Sequence, residues 1–175
     1  MIALPPIAAL ICLPFVTPIC LWVAWSDMKF MKIPNKAVVA LMLVYVVAGV
    51  GWILFGLMPW QDVLWGVALG GMVLLIGFIL TALGLVGAGD SKFAAAMAPF
   101  FVGVQLPFVL ALFAACLLGA FFTHRLVKWI PPLRKSIGDW ESWERKDFPM
   151  GLALTGTMIL YLVWQVWPLF APVFA

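Results

Sequence analysis

Two acidic residues, Asp27 and Asp90, stand apart because each sits where a long apolar run meets a charged segment. Asp27 follows the apolar run that ends at Trp25, and Asp90 precedes the run that begins at Phe93. The other acids lie in the segments between the runs. An acid at the edge of an apolar run is costly to keep ionised, so both aspartates are candidates for function.

Two carboxyl groups that approach each other can catalyse hydrolysis. They cannot both ionise cheaply, so the pair shares one proton and titrates in two steps. The ionised member can take a proton from water that attacks a peptide carbonyl, and the protonated member can donate to the developing oxyanion. The sequence leaves open which aspartate has which role.

Two glycines precede the second aspartate, in the order Gly87, Ala88, Gly89, Asp90. Glycines so placed remove side chains where a substrate backbone would approach the acid closely. A structural interpretation stays open, because glycine often ends a helix and aspartate often caps the next one. For Asp27 the structural alternative is a charge that offsets neighbouring lysines.

Composition shows that membrane helices must position these acids. The residues are 66% hydrophobic and 10% charged, and the mean hydropathy is +1.18, which is far from the usual composition of a soluble domain. A helix needs roughly 20 apolar residues to cross a bilayer core, so 175 residues hold about six spans. The apolar runs lack the alternation of barrel strands. We therefore predict one all-α membrane domain over residues 1–175, with the lipid bilayer as its surroundings.

The basic residues indicate how the helices are oriented. All ten lie in three segments, and under the positive-inside rule these segments face the cytoplasm and both chain termini lie on the non-cytoplasmic side. Basic residues in short loops, rather than on one exposed face, give no indication of nucleic-acid binding. The three segments contain Lys29, Lys32 and Lys36; Lys92; and Arg125, Lys128, Arg134, Lys135, Arg145 and Lys146.

The apolar runs predict where the spans begin and end. A run over residues 93–123 would rise about 46 Å as one helix, and the charge rule favours two spans, a short fourth and a fuller fifth, with a break at 103–107. Gly66 and Gly70 have the spacing of a close helix contact. Tryptophans alternate with charges over residues 129–148, which predicts a segment along the cytoplasmic headgroups. The remaining spans are predicted at about 4–25, 37–57, 63–85 and 148–167, with a first cytoplasmic loop at 26–36.

No set of metal ligands is apparent. Cys12, Cys20 and Cys116 lie within apolar runs, where cysteine is usually a small buried hydrophobe, and His124 is the only histidine. A catalytic zinc needs three protein ligands brought together. We expect no metal and no cofactor, and we expect His124 to lie at the membrane interface.

The residues resemble the prepilin peptidases, the aspartic peptidases of the type IV leader peptidase kind. That family has an aspartate shortly before Ile-Pro-Asn and a later Gly-x-Gly-Asp followed by x-Lys. This chain has Asp27 before Ile33, Pro34 and Asn35, and Asp90 before Lys92. A third stretch, from Phe148 to Gly151, resembles the family's Pro-Phe-Gly-Pro segment imperfectly.

The resemblance implies an aspartic endopeptidase of the bacterial inner membrane with Asp27 and Asp90 as its catalytic pair. Its substrate would be a type IV pilin-like precursor, cut after a glycine at the cytoplasmic face. The chain resembles the short form that serves Flp-type pili of tight-adherence systems and lacks the methyltransferase domain of longer relatives. The resemblance also implies supporting roles for Gly87, Gly89, Lys92, Pro34, Asn35 and Lys29. The positive-inside rule explains the two lysines equally well.

Two alternatives lead to different chemistry. A small transporter or pilus-assembly scaffold would use the aspartates to relay protons or bind a cation, and its acids would lie nearer the middle of the bilayer. A Gly-x-Gly-Asp intramembrane peptidase would carry its second aspartate in the middle of a span. Each alternative therefore predicts a different depth for the acids.

Overall fold

The computed structural model describes residues 3–130, 138–145 and 147–171, and its elements are all helical. Two short 3₁₀ helices, Ala98–Phe101 and Glu141–Trp143, accompany the α-helices. The α-helices of the described residues are α1 (Pro6–Phe30), α2 (Asn35–Leu54), α3 (Trp60–Ala82), α4 (Ala88–Met97), α5 (Leu106–Trp129) and α6 (Met150–Phe170).

Five of these helices, all except α4, are long and apolar enough to cross a bilayer. The prediction of an all-α protein with several membrane helices is therefore confirmed. Helix α4 has 10 residues and rises about 15 Å, and the 3₁₀ helix that follows adds about 8 Å. Together they fall short of a bilayer core of about 30 Å, which agrees with the short fourth span that the sequence predicts.

Helix α1 extends further than the sequence suggests. The predicted first loop at 26–36 is wrong at both ends, because α1 continues to Phe30 and α2 begins at Asn35. Charged residues are compatible with helical geometry, so they do not end a helix where it leaves the apolar layer. The helix ends at Met31, which adopts a left-handed conformation (φ 51°), and Pro34 then disfavours helical geometry at the residue before it. Asp27 therefore lies in the last turn of α1 rather than in a loop.

The predicted break in the 93–123 run is present. The 3₁₀ helix ends at Phe101, Gly103 has a φ of 76°, and α5 begins at Leu106. A positive φ is accessible to glycine without a steric penalty, and Pro107 fits the first turn of the new helix. The chain reverses here without crossing the whole bilayer.

Helix α1 packs mainly on α6 and also on α2, whereas α3 packs on α4 and on the 3₁₀ helix that follows it. The predicted close contact of α3 is confirmed: a Cβ at Gly66 would overlap the Tyr45 hydroxyl, and one at Gly70 would lie 3.0 Å from the Ala95 carbonyl oxygen. Helix α3 therefore lies directly against α4 and the 3₁₀ helix. Helix α5 packs mainly on α6 and is the least buried of the membrane helices.

The segment before α6 is described only in part, and its predicted place along the headgroups stays a prediction. Residues 131–137 and 146 lie outside the described residues. In the described part, Trp143 is 3% exposed and stacks on His124, with ring centroids 5.0 Å apart. His124 is itself buried against this ring, and its position relative to the membrane interface stays a prediction.

Candidate active site

The Asp27 side chain is buried at the end of α1, where it is 6% exposed. Its Oδ2 atom accepts a 2.7 Å hydrogen bond from the backbone N–H of Gly151. Gly151 is the second residue of α6, in the first turn, where backbone N–H groups have no partner within the helix. Asp27 thus caps a helix that lies at the other end of the chain, and the positive end of α6 faces its carboxylate.

Only glycine permits this contact. A Cβ at position 151 would lie 2.8 Å from Oδ2, 2.9 Å from Cβ and 3.0 Å from Cγ of Asp27. Carbon atoms do not approach so closely, so any side chain at this position would push the carboxylate away from the amide. Gly151 is therefore a positioning residue for Asp27.

Asp90 is the third residue of α4, and it does not cap that helix. The cap position belongs to Gly87, so the structural interpretation of Asp90 as a capping residue is wrong. A Cβ on Gly87 would lie 2.6 Å from Oδ2 of Asp90. The Asp90 carboxylate therefore folds back over the start of its own helix, and Gly87 leaves the space for it.

Gly89 serves a different contact. A Cβ at this position would lie 3.2 Å from Cβ of Ile33, so the start of α4 packs on the loop between α1 and α2. Both glycines thus make room for the protein's own groups. That packing brings the motif of Asp90 against the Ile33, Pro34 and Asn35 segment that follows Asp27.

The two carboxyl groups interact electrostatically. Asp90 lies outside the five candidate membrane spans and is half-buried. Burial, and secondly the negative charge of Asp27, raise the pKa of Asp90 from its ordinary 3.8 to about 6. The charge of an ionised Asp27 therefore makes ionisation of Asp90 less favourable. Within the described residues neither aspartate forms an ion pair with a lysine or arginine, so no direct contact supports the interpretation of Asp27 as an acid offset by Lys29 and Lys32.

The supporting residues of the sequence prediction divide into two groups. Lys92 Nζ lies 3.4 Å from Asn35 Oδ1, an exposed hydrogen bond that links α4 to the start of α2, and Pro34 occupies the cap position of α2. Lys29 is placed elsewhere, with its ammonium 5.1 Å from the ring centroid of Trp25 and close to Phe30. Lys92 and Asn35 therefore come together, whereas Lys29 rests on aromatic rings at the end of α1.

Two serines next to the aspartates complete the site, and the sequence analysis did not identify them. Ser26 Oγ donates a 2.8 Å hydrogen bond to the Lys32 carbonyl oxygen, which closes the loop after α1. Ser91 Oγ donates to the Gly77 carbonyl oxygen at 3.1 Å and lies 2.9 Å from Thr81 Oγ1, which ties α4 to α3. In the sequence each serine is recognisable only as a polar residue next to an acid, at the edge of an apolar run.

Helix α3 needs a glycine at this junction. A Cβ at Gly77 would lie 2.8 Å from Cβ of Ser91, so α3 and α4 are in contact one residue from the second acid. Each catalytic candidate is thus fixed by a backbone group of another helix, Asp27 by Gly151 directly and Asp90 through its neighbour Ser91.

Histidine and cysteine side chains do not assemble around the acids. The described residues contain no cluster of three or more His, Cys, Asp or Glu side chains that could hold a metal ion. The three cysteines are free thiols, of which Cys12 and Cys20 are buried in α1. The site is thus described by two carboxyl groups, a backbone amide and the residues that fix them.

A comparison with protein families gives one match. The model of the type IV leader peptidase family matches residues 15–124, a stretch that contains both aspartates and their motifs and ends before Gly151. No curated protein and no solved structure matches the chain.

Proposed function

The chain belongs to the type IV leader peptidase family, and we propose that it is an aspartic endopeptidase that removes the leader from pilin-like precursors. Asp27 and Asp90 are its catalytic pair. The observation that carries this proposal is the packing of the Asp90 motif on the loop after α1: a Cβ at Gly89 would lie 3.2 Å from Cβ of Ile33, so the start of α4 lies against the end of α1, where Asp27 is. An aspartic peptidase requires two carboxyl groups brought together.

Asp27 acts as the base in this proposal. A carboxylate oxygen that accepts an amide hydrogen bond and faces the start of a helix is stabilised in its ionised form. Gly151 provides both for Asp27, because its N–H donates the hydrogen bond and it lies at the start of α6. Asp90 has a pKa near 6 and retains the shared proton, so it acts as the acid.

The reaction then proceeds in two steps. Asp27 takes a proton from a water molecule, the water oxygen attacks the scissile carbonyl carbon, and Asp90 gives its proton to the carbonyl oxygen. A tetrahedral diol results. Its carbon–nitrogen bond breaks as Asp27 passes its proton to the leaving nitrogen, and Asp90 recovers a proton from a diol hydroxyl. Both carboxyl groups end in their starting states, and no covalent intermediate forms.

The position of the acids favours this chemistry over the transporter alternative. Asp27 lies in the last turn of α1 and Asp90 in the first turn of α4, so both are at helix ends rather than in the middle of a span. Water reaches the edge of a bilayer far more readily than its centre. The charge distribution supports the cytoplasmic face as this edge, in a bacterial inner membrane.

The substrate that we propose is more specific than the substrate class that the family assignment implies. The short chain resembles the forms that serve Flp-type pili, so we propose a small precursor with a basic leader, a glycine and then an apolar helix. Such a precursor would place its helix in the bilayer and its cleavage site at the level of the two aspartates. Lys92 and Asn35 are near this site and can contact the leader.

Co-expression with a tagged precursor tests the proposal. Asp27→Asn and Asp90→Asn should each abolish the mass shift that accompanies leader removal, because either change removes one of the two carboxyl groups. Asp62→Asn is the matched control, since Asp62 lies in the first turn of α3, and this variant should process normally. Unchanged processing in either of the first two variants would contradict the proposal.

A further inference from the structure

An apolar cavity of about 500 Å³ lies between α3 and α5, and Asp90 is part of its wall. Helices α3 and α5 do not form a packed pair, and α4 together with the 3₁₀ helix closes the space between them. We call this cavity the α3–α5 groove. Its apolar sides are formed by Val73, Ile76 and Leu80 of α3 and by Val109, Leu110 and Phe113 of α5.

The groove changes character along its length. Asp90 and Ser91 line it beside the active site, and Met150 lines it next to the glycine that holds Asp27. At the far end it is lined by Val104 and Leu106, at the turn before α5. The groove thus begins at Asp90 and Met150 and runs between α3 and α5 to the turn before α5.

A second apolar cavity provides a contrast. It has a volume of about 410 Å³ and lies between α1 and α2, where its lining includes Ile11, Leu43 and Trp52 but no acid. Lipid chains are the expected occupants of such a recess in a membrane protein. The α3–α5 groove is similar in size and polarity but meets a carboxyl group of the catalytic pair, and this continuity distinguishes it from a recess for lipid.

We propose that the α3–α5 groove binds the apolar helix of the substrate that follows the scissile bond. This inference rests on the proposed function. A helix is about 10 Å across, so a groove of about 500 Å³ receives the side chains of one helix face while the opposite face stays in contact with lipid. A helix bound in this way places the peptide bond at its end beside Asp90. The part of the helix that extends beyond the groove does not affect this placement.

Photo-crosslinking tests the position of the helix. The probe is a tagged synthetic precursor with a lysine-rich leader, a glycine and an apolar Leu/Ala helix of roughly 20 residues. A photoreactive phenylalanine analogue replaces Ile76 or Leu110 in the full chain, in an Asp27→Asn background that leaves the precursor intact. Both positions line the groove and should crosslink to the precursor.

Two control positions match these in type and exposure. Ile79 is 51% exposed, as is Ile76 on the same helix, but it does not line the groove. Leu43 is 57% exposed against 56% for Leu110, and it lines the cavity between α1 and α2. Neither control should crosslink to the precursor. Equal crosslinking at control and groove positions, crosslinks to lipid alone, or crosslinks between two copies of the chain would each overturn the inference.

A variant that fills the groove gives an independent measurement. Val109→Trp should raise the KM for the precursor by roughly tenfold, the equivalent of about 1.4 kcal/mol. Leu118→Trp, on a part of α5 that does not line the groove, should leave KM unchanged. If the parent chain cleaves the precursor but neither the crosslinks nor the KM values show that the precursor occupies the groove, the groove inference fails and the proposed function stands. If the parent chain does not cleave it, the proposed function fails.

Discussion

The backbone N–H of Gly151 donates a 2.7 Å hydrogen bond to Oδ2 of Asp27, so the start of the last helix holds the acid at the end of the first. The two residues are 124 positions apart in the chain. This contact fixes the carboxylate, and it gives Asp27 a partner that favours its ionised form. At Asp90, burial and then the charge of Asp27 favour the protonated form and raise the pKa to about 6.

Replacement of Gly151 by alanine should impair catalysis more than folding. The added Cβ would lie 2.8 Å from Oδ2 of Asp27, so the carboxylate must move and its amide hydrogen bond is lost. A hydrogen bond to a charged group contributes about 1.5–3 kcal/mol, and kcat/KM should fall by roughly 10–100-fold. The acidic limb of the pH–rate profile should also move to higher pH, because the base then binds its proton more tightly.

Gly156→Ala is the matched control on the same helix. A Cβ there would meet Cys116 at 3.8 Å, an ordinary van der Waals distance, so rate and pH profile should both stay the same. A purely structural role for Gly151 would lower the amount of active protein without a move of the acidic limb, and that outcome would contradict its role in positioning Asp27.

The pH dependence of the parent enzyme should show the proton on Asp90. Its pKa of about 6 means that the protonated acid becomes scarce as pH rises above this value. We expect a basic limb in kcat/KM near pH 6, with a tenfold fall for each further pH unit. Initial rates measured on reconstituted enzyme from pH 4 to pH 9 would check this. A rate that stays constant up to pH 9 would exclude Asp90 as the acid.

Asp90→Asn should stabilise the fold increasingly as pH rises from about 4 to 6, and by the full amount above pH 6. The folded pKa of Asp90 lies above its ordinary value of 3.8. The folded state therefore binds the proton more tightly, and stability is highest below 3.8 and falls as pH rises toward 6. The asparagine variant avoids this loss, which amounts to roughly 1 kcal/mol once solvent screening is considered. Thermal unfolding at pH 7.5 should show a higher midpoint for the variant, and at pH 4 the two midpoints should coincide. A higher midpoint at both pH values would point to a cause other than the proton.

The contact between α3 and α4 should be sensitive to one methyl group. Gly77→Ala places a Cβ 2.8 Å from Cβ of Ser91, which forces α4 outward and moves Asp90 with it. Overpacking of this kind costs about 1–3 kcal/mol, and processing of the precursor should decrease. Gly71→Ala on the same helix meets nothing within 4 Å and should be neutral or slightly stabilising. Equal effects of the two alanines on unfolding and processing would contradict a specific contact at Gly77.

Local chemistry made part of this site predictable from the sequence. The apolar runs identify the helices, and Asp27 and Asp90 are recognisable because acids are rare at the edges of such runs. The Gly66 and Gly70 spacing correctly predicted a close contact, since small residues four positions apart leave a flat helix face. These signals need only the residues of one or two neighbouring helices.

Contacts between distant segments were not predictable in the same way. No spacing in the chain shows that Gly151 meets Asp27, and the stretch from Phe148 to Gly151 attracted attention only through an imperfect family resemblance. The stacking of Trp143 on His124 was not predicted, because tertiary packing has no signature in a list of tryptophans and charges. The end of α1 was misplaced because a charged residue can continue a helix beyond the apolar layer.

The central claim, that Asp27 and Asp90 act as a pair on a pilin-like precursor, is tested most directly with the purified chain. Reconstituted in liposomes with the synthetic precursor and no other protein, the parent chain should produce a single cut after the glycine, identified by mass spectrometry. Asp27→Asn and Asp90→Asn should each reduce the initial rate by at least about 1000-fold, whereas Asp62→Asn should match the parent. Cleavage that persists in either variant, or no cleavage by the folded parent chain, would contradict the account.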